Sequence, residues 1–168
     1  MRVLNIHKRT INQPKAKISE LLETLSTEKD KLWPTDQWPA MKLDEGLRVG
    51  SKGGHGPIRY SVNKYNAGEL VQFEFRKPKG FIGVHRFEVI GLENDKAEIS
   101  HTIEMNTIGI GILTWTIAVR WLHEALIEDA FDKVENQFST EKKKTKWNIW
   151  VKVLRNMSKP GKQTHSTK

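Results

Sequence analysis

The sequence has no cysteine. This excludes disulfides, thiolate nucleophiles and any zinc site built on sulfur. It suits a reducing compartment without requiring one. Also missing is a long apolar run, since none approaches the roughly 18 residues that a membrane span needs. The opening "MRVLNIHKRT" lacks the apolar centre of a secretory leader, so the expectation is a cytoplasmic protein. Acid is scarce at one end. Residues 139–168 hold nine Lys+Arg and the single acid Glu141, whereas residues 1–138 hold 19 of each sign. The net charge of +8 therefore belongs to a C-terminal appendage and not to the domain.

What is present points to one folded unit over 1–138 and a basic extension over 139–168. Residues 2–11 alternate loosely, as an edge strand would. Pro14 suits the first turn of a helix, and Ile18, Leu21, Leu22 and Leu25 continue it to about 26. Thr27 and Asp30 resemble a capping pair for a second short helix ending before Pro34. The stretch 33–57 is loop-rich, with a short strand expected near Leu47–Val49.

A period of two then dominates. Ile58, Tyr60 and Val62 share a face, as do Val71, Phe73 and Phe75. His85, Phe87 and Val89 follow, and then Ala97, Ile99, His101, Ile103 and Met105. The breaks "YNAGE", "RKPKGF" and "LENDKAE" carry turn chemistry, so an antiparallel meander with one dry face is expected. Turns centred between Asn66 and Ala67, at Lys79-Gly80 and on Asp95 would align Tyr60, Phe73, His85 and Met105 in one row. His101 would then lie beside Val89, roughly 13 Å from that row at strand spacing, and the two inward histidines would not pair. From Gly109 the period becomes helical. Ile112, Trp115, Val119, Leu122, Leu126, Ala130 and Val134 form a broad apolar stripe to about Phe138.

An early strand, two short helices, a meander and a long final helix resemble the START-like superfamily of birch-pollen-allergen-like proteins and polyketide cyclases. The carrying stretches are "GGHGPIRYSV", "GFIGVHRFEV" and "LTWTIAVRWLHEALIEDAFD", which look like a bacterial branch of it. The resemblance covers about residues 2–138. It implies an α+β helix-grip fold, in which a curved antiparallel sheet wraps the long helix and leaves a cavity for an apolar ligand. It implies no catalytic residue, because the fold hosts carriers, sensors and several enzyme types.

The stretch "VRWLHEALIEDAF" looks like half of a metal site. His123-Glu124 begins a His-Glu-x-x-His pattern, but Ile127 stands where the second histidine is needed. Glu124, Glu128 and Asp132 form a line at helical spacing that is expected to face water. His123 sits at the edge of the apolar stripe, within reach of a cavity. "GGHG" at 53–56 lacks the lysine and helix of a phosphate loop and is expected at a cavity mouth with His55 exposed. Ser61 and Ser100 fall on the wet faces.

The expected ligand-binding residues are Tyr60, Phe73, His85, Phe87, His101, Met105, Trp115, Val119, Leu122 and His123, with no metal and no cofactor. In the tail, an amphipathic helix is expected over about 145–157. Its Trp147, Trp150 and Leu154, with Lys146, Lys152 and Arg155, would face an anionic membrane or a partner, or dock on the domain itself. Nucleic acid is not expected, since only phosphate attraction could be invoked. From Ser158 the composition reads as disordered. The leading expectation is binding or transport of an apolar or aromatic small molecule or lipid. The alternatives are a cyclase or dehydratase using an inward histidine, and a module acting through its tail. The sequence leaves the oligomeric state open.

Overall fold

The computed structural model describes residues 1–157, and the stretch expected to be disordered lies outside the described residues. Seven strands form one antiparallel sheet: β1 (Arg2–Ile11), β2 (Lys42–Leu43), β3 (Lys52–His55), β4 (Ile58–Asn66), β5 (Leu70–Lys77), β6 (Phe81–Leu92) and β7 (Lys96–Thr107). Their order is β1-β7-β6-β5-β4-β3-β2, so the first strand pairs with the last and the meander runs outward from there. Among the described residues, three helices complete the fold: α1 (Lys15–Leu22), α2 (Ile110–Glu135) and α3 (Ile149–Met157).

Helix α1 begins after Pro14 and buries Ile18, Leu21 and Leu22. The second short helix after it does not form. Ser26 adopts φ 68, and the Asp30 carboxylate accepts the backbone N–H groups of Ser26, Leu32 and Trp33 at 2.7–2.8 Å. A carboxylate that satisfies three backbone donors on both sides of it replaces the helical ladder with turns. The strand expected at 47–49 is a turn as well, and the short strands fall at 42–43 and 52–55. Gly53 and Gly54 permit that pairing, because a Cβ on either would run into the carbonyls of Lys42 and Ile58.

The meander keeps the expected parity but not the expected register. Val62 pairs with Phe73, and Tyr60 pairs with Phe75 after a bulge between Val62 and Lys64. Phe73 does pair with His85. Across β6–β7, His85 faces Ile103, and Phe87 faces His101. The cause is the turn, which centres on Asn94, with Asn94 and Asp95 at φ 58 and 52. Moving a turn by one residue moves the pairing by two and leaves every side chain on its original face.

Helix α2 contains a π-helical turn, Trp115–Val119. Such a turn leaves carbonyls off the regular ladder. Two indoles donate to it, Trp121 Nε1 to Thr116 O at 3.1 Å and Trp150 Nε1 to Ile117 O at 2.8 Å. By length and composition α2 is long and apolar enough to cross a bilayer, which the sequence reading did not anticipate. Trp115, Leu126, Ala130, Phe131 and Val134 pack beneath the sheet, whereas Ile110, Ile112, Leu113 and Ile117 in its first turns are exposed, and only 28% of the apolar stretch is buried.

The acids on α2 are not a solvated line. Arg9 on β1 donates to Glu128 (2.8 Å), Asp132 (3.1 Å) and Glu135 (2.8 Å). Asp132 is buried, and Asp129 on the adjoining face is buried too. Glu124 alone fits the expectation in kind, pairing with Arg120 four residues earlier at 3.0 Å. Ser61 and Ser100, placed on the wet faces by parity, are nonetheless covered, and Ser61 Oγ accepts from Arg76 Nε at 3.1 Å.

Candidate functional site

Two apolar clusters share Phe75 and Val119. A cavity of about 210 Å³ lies against both of these residues, between the sheet and α2. Its wall is mostly aromatic and aliphatic, and its polar groups are the imidazoles of His55, His85, His101 and His123 and the guanidinium of Arg155. Of the ten residues the sequence proposed, His85, His101, Trp115, Val119, Leu122 and His123 line this cavity. Tyr60, Phe73, Phe87 and Met105 do not. They are buried behind it, where Tyr60 and Phe73 pack at 4.9 Å and Phe87 meets the edge of His101 at 4.5 Å.

The register places the histidines together. His85 on β6 and His101 on β7 are diagonal neighbours, and Nδ1 of the first lies 3.2 Å from Nε2 of the second. The expected separation of roughly 13 Å is therefore wrong, as the shifted hairpin requires. Nδ1 of His101 in turn lies 3.1 Å from Nε2 of His123 on α2. His7 on β1, directly across from His101, holds Glu128 Oε1 at 2.9 Å through Nδ1. Its ring meets His123 edge-on at 5.7 Å.

Burial sets the electrostatics. An imidazolium in this wall would lose its hydration, so the neutral forms are favoured. Burial holds His85 down to about 3, with the nearby His55 adding to the effect. His101 and His123 lie well below the ordinary histidine value for the same reason, reinforced in His101 by His123 and in both by His7, His85 and His55. His55 is half-buried rather than exposed. It shares a 3.1 Å hydrogen bond with the Tyr60 hydroxyl, lies 4.7 Å from the Trp33 ring, and is held down to about 4 by burial. The Tyr60 phenol is pushed up by burial, so its hydroxyl keeps its proton. Among the described residues no group of three or more His, Asp or Glu converges as a metal site.

The tail closes one side. Helix α3 occupies most of the range expected for it, and it docks on the domain. Val151 is buried. Trp147 and Trp38 both donate to Asp129 Oδ2, at 2.8 and 2.7 Å. Arg155 donates to Gln37 O and stacks 4.5 Å over the Trp38 ring. Thus Trp147, Leu154 and Arg155 are turned at least partly inward, while Lys146, Trp150 and Lys152 remain on the exposed side. Burial lowers the Asp129 carboxylate's readiness to ionise, although the two indole donors oppose that shift.

Sequence reasoning missed His7, Arg9 and Asp129, and it named His55 and Arg155 without placing either in the cavity wall. His7 had a signal, because the odd positions of 2–11 alternate as one face. Reading that face correctly required knowing that β1 pairs with β7.

Solved structures with this arrangement exist. Norcoclaurine synthase from Thalictrum flavum, in complex with dopamine and hydroxybenzaldehyde, superposes with a TM-score of 0.62, covering 84% of this chain and 90% of its own at 11% identity. The chain has the helix-grip fold. A Nitrosospira multiformis protein gives a TM-score of 0.64 at 11% identity, over 82% of this chain and 97% of its own. CalU16 from Micromonospora echinospora gives 0.55 at 10% identity, over 94% and 92%. No family model matches the sequence, and no curated protein matches it. Identities this low carry the helix-grip architecture and nothing of the chemistry.

Proposed function

We propose that this protein binds a small aromatic or alicyclic molecule bearing one polar group, in the cavity between the sheet and α2. The observation that carries the reading is an apolar cavity whose wall contains a hydrogen-bonded row of neutral histidines. Apolar burial at about 25 cal/mol per Å² would drive entry, and the polar groups would fix orientation. The volume of 210 Å³ lies below the roughly 300–1,000 Å³ of sites for drug-sized ligands. That favours a one- or two-ring compound over a long-chain lipid. The small aromatic compounds held by norcoclaurine synthase in its solved complex are consistent with this size class.

The docking of α3 supports a tail that completes the cavity wall, through Arg155, in preference to a membrane or partner module. A cyclase or dehydratase using one inward histidine as base is less favoured. A nitrogen held at about 3, as in His85, takes a proton poorly when it must keep the charge.

Organic extraction of the purified full-length protein, followed by mass spectrometry, tests the binding reading. The expected result is one co-purifying one- or two-ring compound at near-stoichiometric level. A protein that yields none, and shows no saturation transfer to a panel of aromatic ketones and phenols, would overturn it.

A further inference from the structure

The apolar side chains that α2 leaves outside the core form a row. Ile110, Leu113 and Ile117 follow at i, i+3 and i+7, which sets them on one side of the helix, and each is more than half exposed. Helix α3 carries a second such row. Its inner side, with Val151, is docked on the domain, whereas Trp150, Val153 and Met157 are exposed at the same spacing. The two rows meet where Trp150 Nε1 donates to Ile117 O at 2.8 Å. Docking of the tail thus uses its inner side to complete the cavity wall and adds its outer side to the exposed face of α2. A contiguous apolar surface with a polar rim marks a place where a partner or a membrane rests.

Charge distinguishes between these. Residues 108–119 hold no charged side chain, and residues 142–157 hold six cations and no acid. The turn at 76–80 adds Arg76, Lys77 and Lys79 and abuts the start of α2, where the Ile108 N–H donates to Gly80 O at 2.9 Å. Glu135 takes Lys143, and Glu74 takes Arg76. Lys77, Lys79, Lys144, Lys146 and Lys152 are exposed and have no carboxylate partner among the described residues. An apolar surface rimmed by unpaired lysines suits a bilayer with negative headgroups. The apolar side chains sink into the headgroup boundary, the lysines stay level with the phosphates, and an indole such as that of Trp150 is at home between them. A second copy of the chain fits less well, because stacking this face on itself would set one lysine rim against another.

We propose that the exposed side of the first turns of α2, joined by the outer side of α3, is a peripheral docking surface for anionic membranes. Helix α2 rests on the bilayer and does not cross it, since Leu126, Ala130, Phe131 and Val134 fix its later turns beneath the sheet. The proposal stands independently of the ligand reading and gives that reading a setting. Trp115 and Val119, which line the cavity, belong to the same π-helical turn as Ile117. An apolar compound dissolved in the bilayer therefore meets the protein at the helix that walls the cavity.

Co-sedimentation of the full chain with sucrose-loaded vesicles tests the proposal. Binding to phosphatidylcholine vesicles that contain phosphatidylglycerol should be at least about tenfold tighter than to phosphatidylcholine alone, and should weaken as salt is raised. Leu113→Glu and Ile117→Glu in one chain should lower binding to the anionic vesicles by about tenfold or more. Both positions lie outside the cavity wall, and circular dichroism checks that the helix is kept. Lys146→Gln with Lys152→Gln, on the exposed rim, should narrow the preference for anionic vesicles by at least about fivefold. This second variant decides the matter if the glutamates disturb the helix. Equal affinity for both kinds of vesicle, or no binding to either, overturns the proposal, as does a folded double-glutamate variant that binds like the parent. Sedimentation velocity without lipid should show a monomer. A dimer that the two glutamates dissociate would assign this face to a second copy and overturn the membrane assignment.

Discussion

Nδ1 of His85 lies 3.2 Å from Nε2 of His101, a diagonal contact that ties β6 to β7 in the cavity wall. Neither ring is the other's direct cross-strand partner, and both are buried. The contact makes the stability of the sheet depend on the protonation state of the wall.

Stability should fall as pH is lowered through the ordinary histidine range. His85, His101 and His123 are depressed in the folded state, so between their folded values and about 6.5 the unfolded chain binds more protons. Their contribution is complete above about pH 6.5 and is lost below it, at up to roughly 1.4 kcal/mol per pH unit for each fully buried ring. Urea unfolding at pH 7.5, 6 and 5 should show a midpoint that falls steadily. A midpoint unchanged down to pH 5 would contradict neutral burial.

His101→Leu should destabilise by about 2–4 kcal/mol, because His85 Nδ1 and His123 Nε2 each lose a partner inside the protein. Replacing His85 and His123 with apolar residues in the same chain should recover part of that loss. Denaturant midpoints of the single and triple variants measure it. A single variant as stable as the parent would mean that the row is not a network.

Arg9→Met should cost about 3 kcal/mol, since it removes the cation shared by Glu128, Asp132 and Glu135 and leaves only Lys143, on Glu135. The loss should shrink at high salt, which screens the remaining repulsion. Thermal melts at low and high ionic strength provide the comparison.

Asp129→Ala should release α3. The indoles of Trp38 and Trp147 would lose their common acceptor at 2.7 and 2.8 Å, at about 1–3 kcal/mol for each donor left unpaired and buried. Tryptophan emission should shift to the red, and protease cleavage around 140–148 should quicken. An unchanged spectrum would show that Val151 and Arg155 suffice to hold the tail.

Alternation and helical spacing were enough to assign the inward faces. Period-two runs at 58–65, 69–77, 82–92 and 97–107 and the helical stripe from Ile112 to Val134 were legible because burial of one face repeats at each element's own period. They specified the sheet, the long helix and the dry side of both histidines. One error came from reading one helix face alone. The acids of α2 looked solvated because their partner, Arg9, lies more than a hundred residues earlier on a strand. His123 does line the cavity from the edge of the apolar stripe, but its partner on β7 was not legible from the helix.

Contacts between elements set which of those residues meet. Parity survives a two-residue slip, so no pattern of alternation could choose between His101 beside Val89 and His101 against His85. A turn centred on Asn94 made that choice, and the pairing of β1 with β7 set His7 across from His101. Likewise, the basic tail's composition allowed a membrane or its own domain, and the buried acceptor Asp129 drew it onto the cavity wall. Distances between side chains on different elements depend on turns and closures, and a periodic pattern carries no record of those.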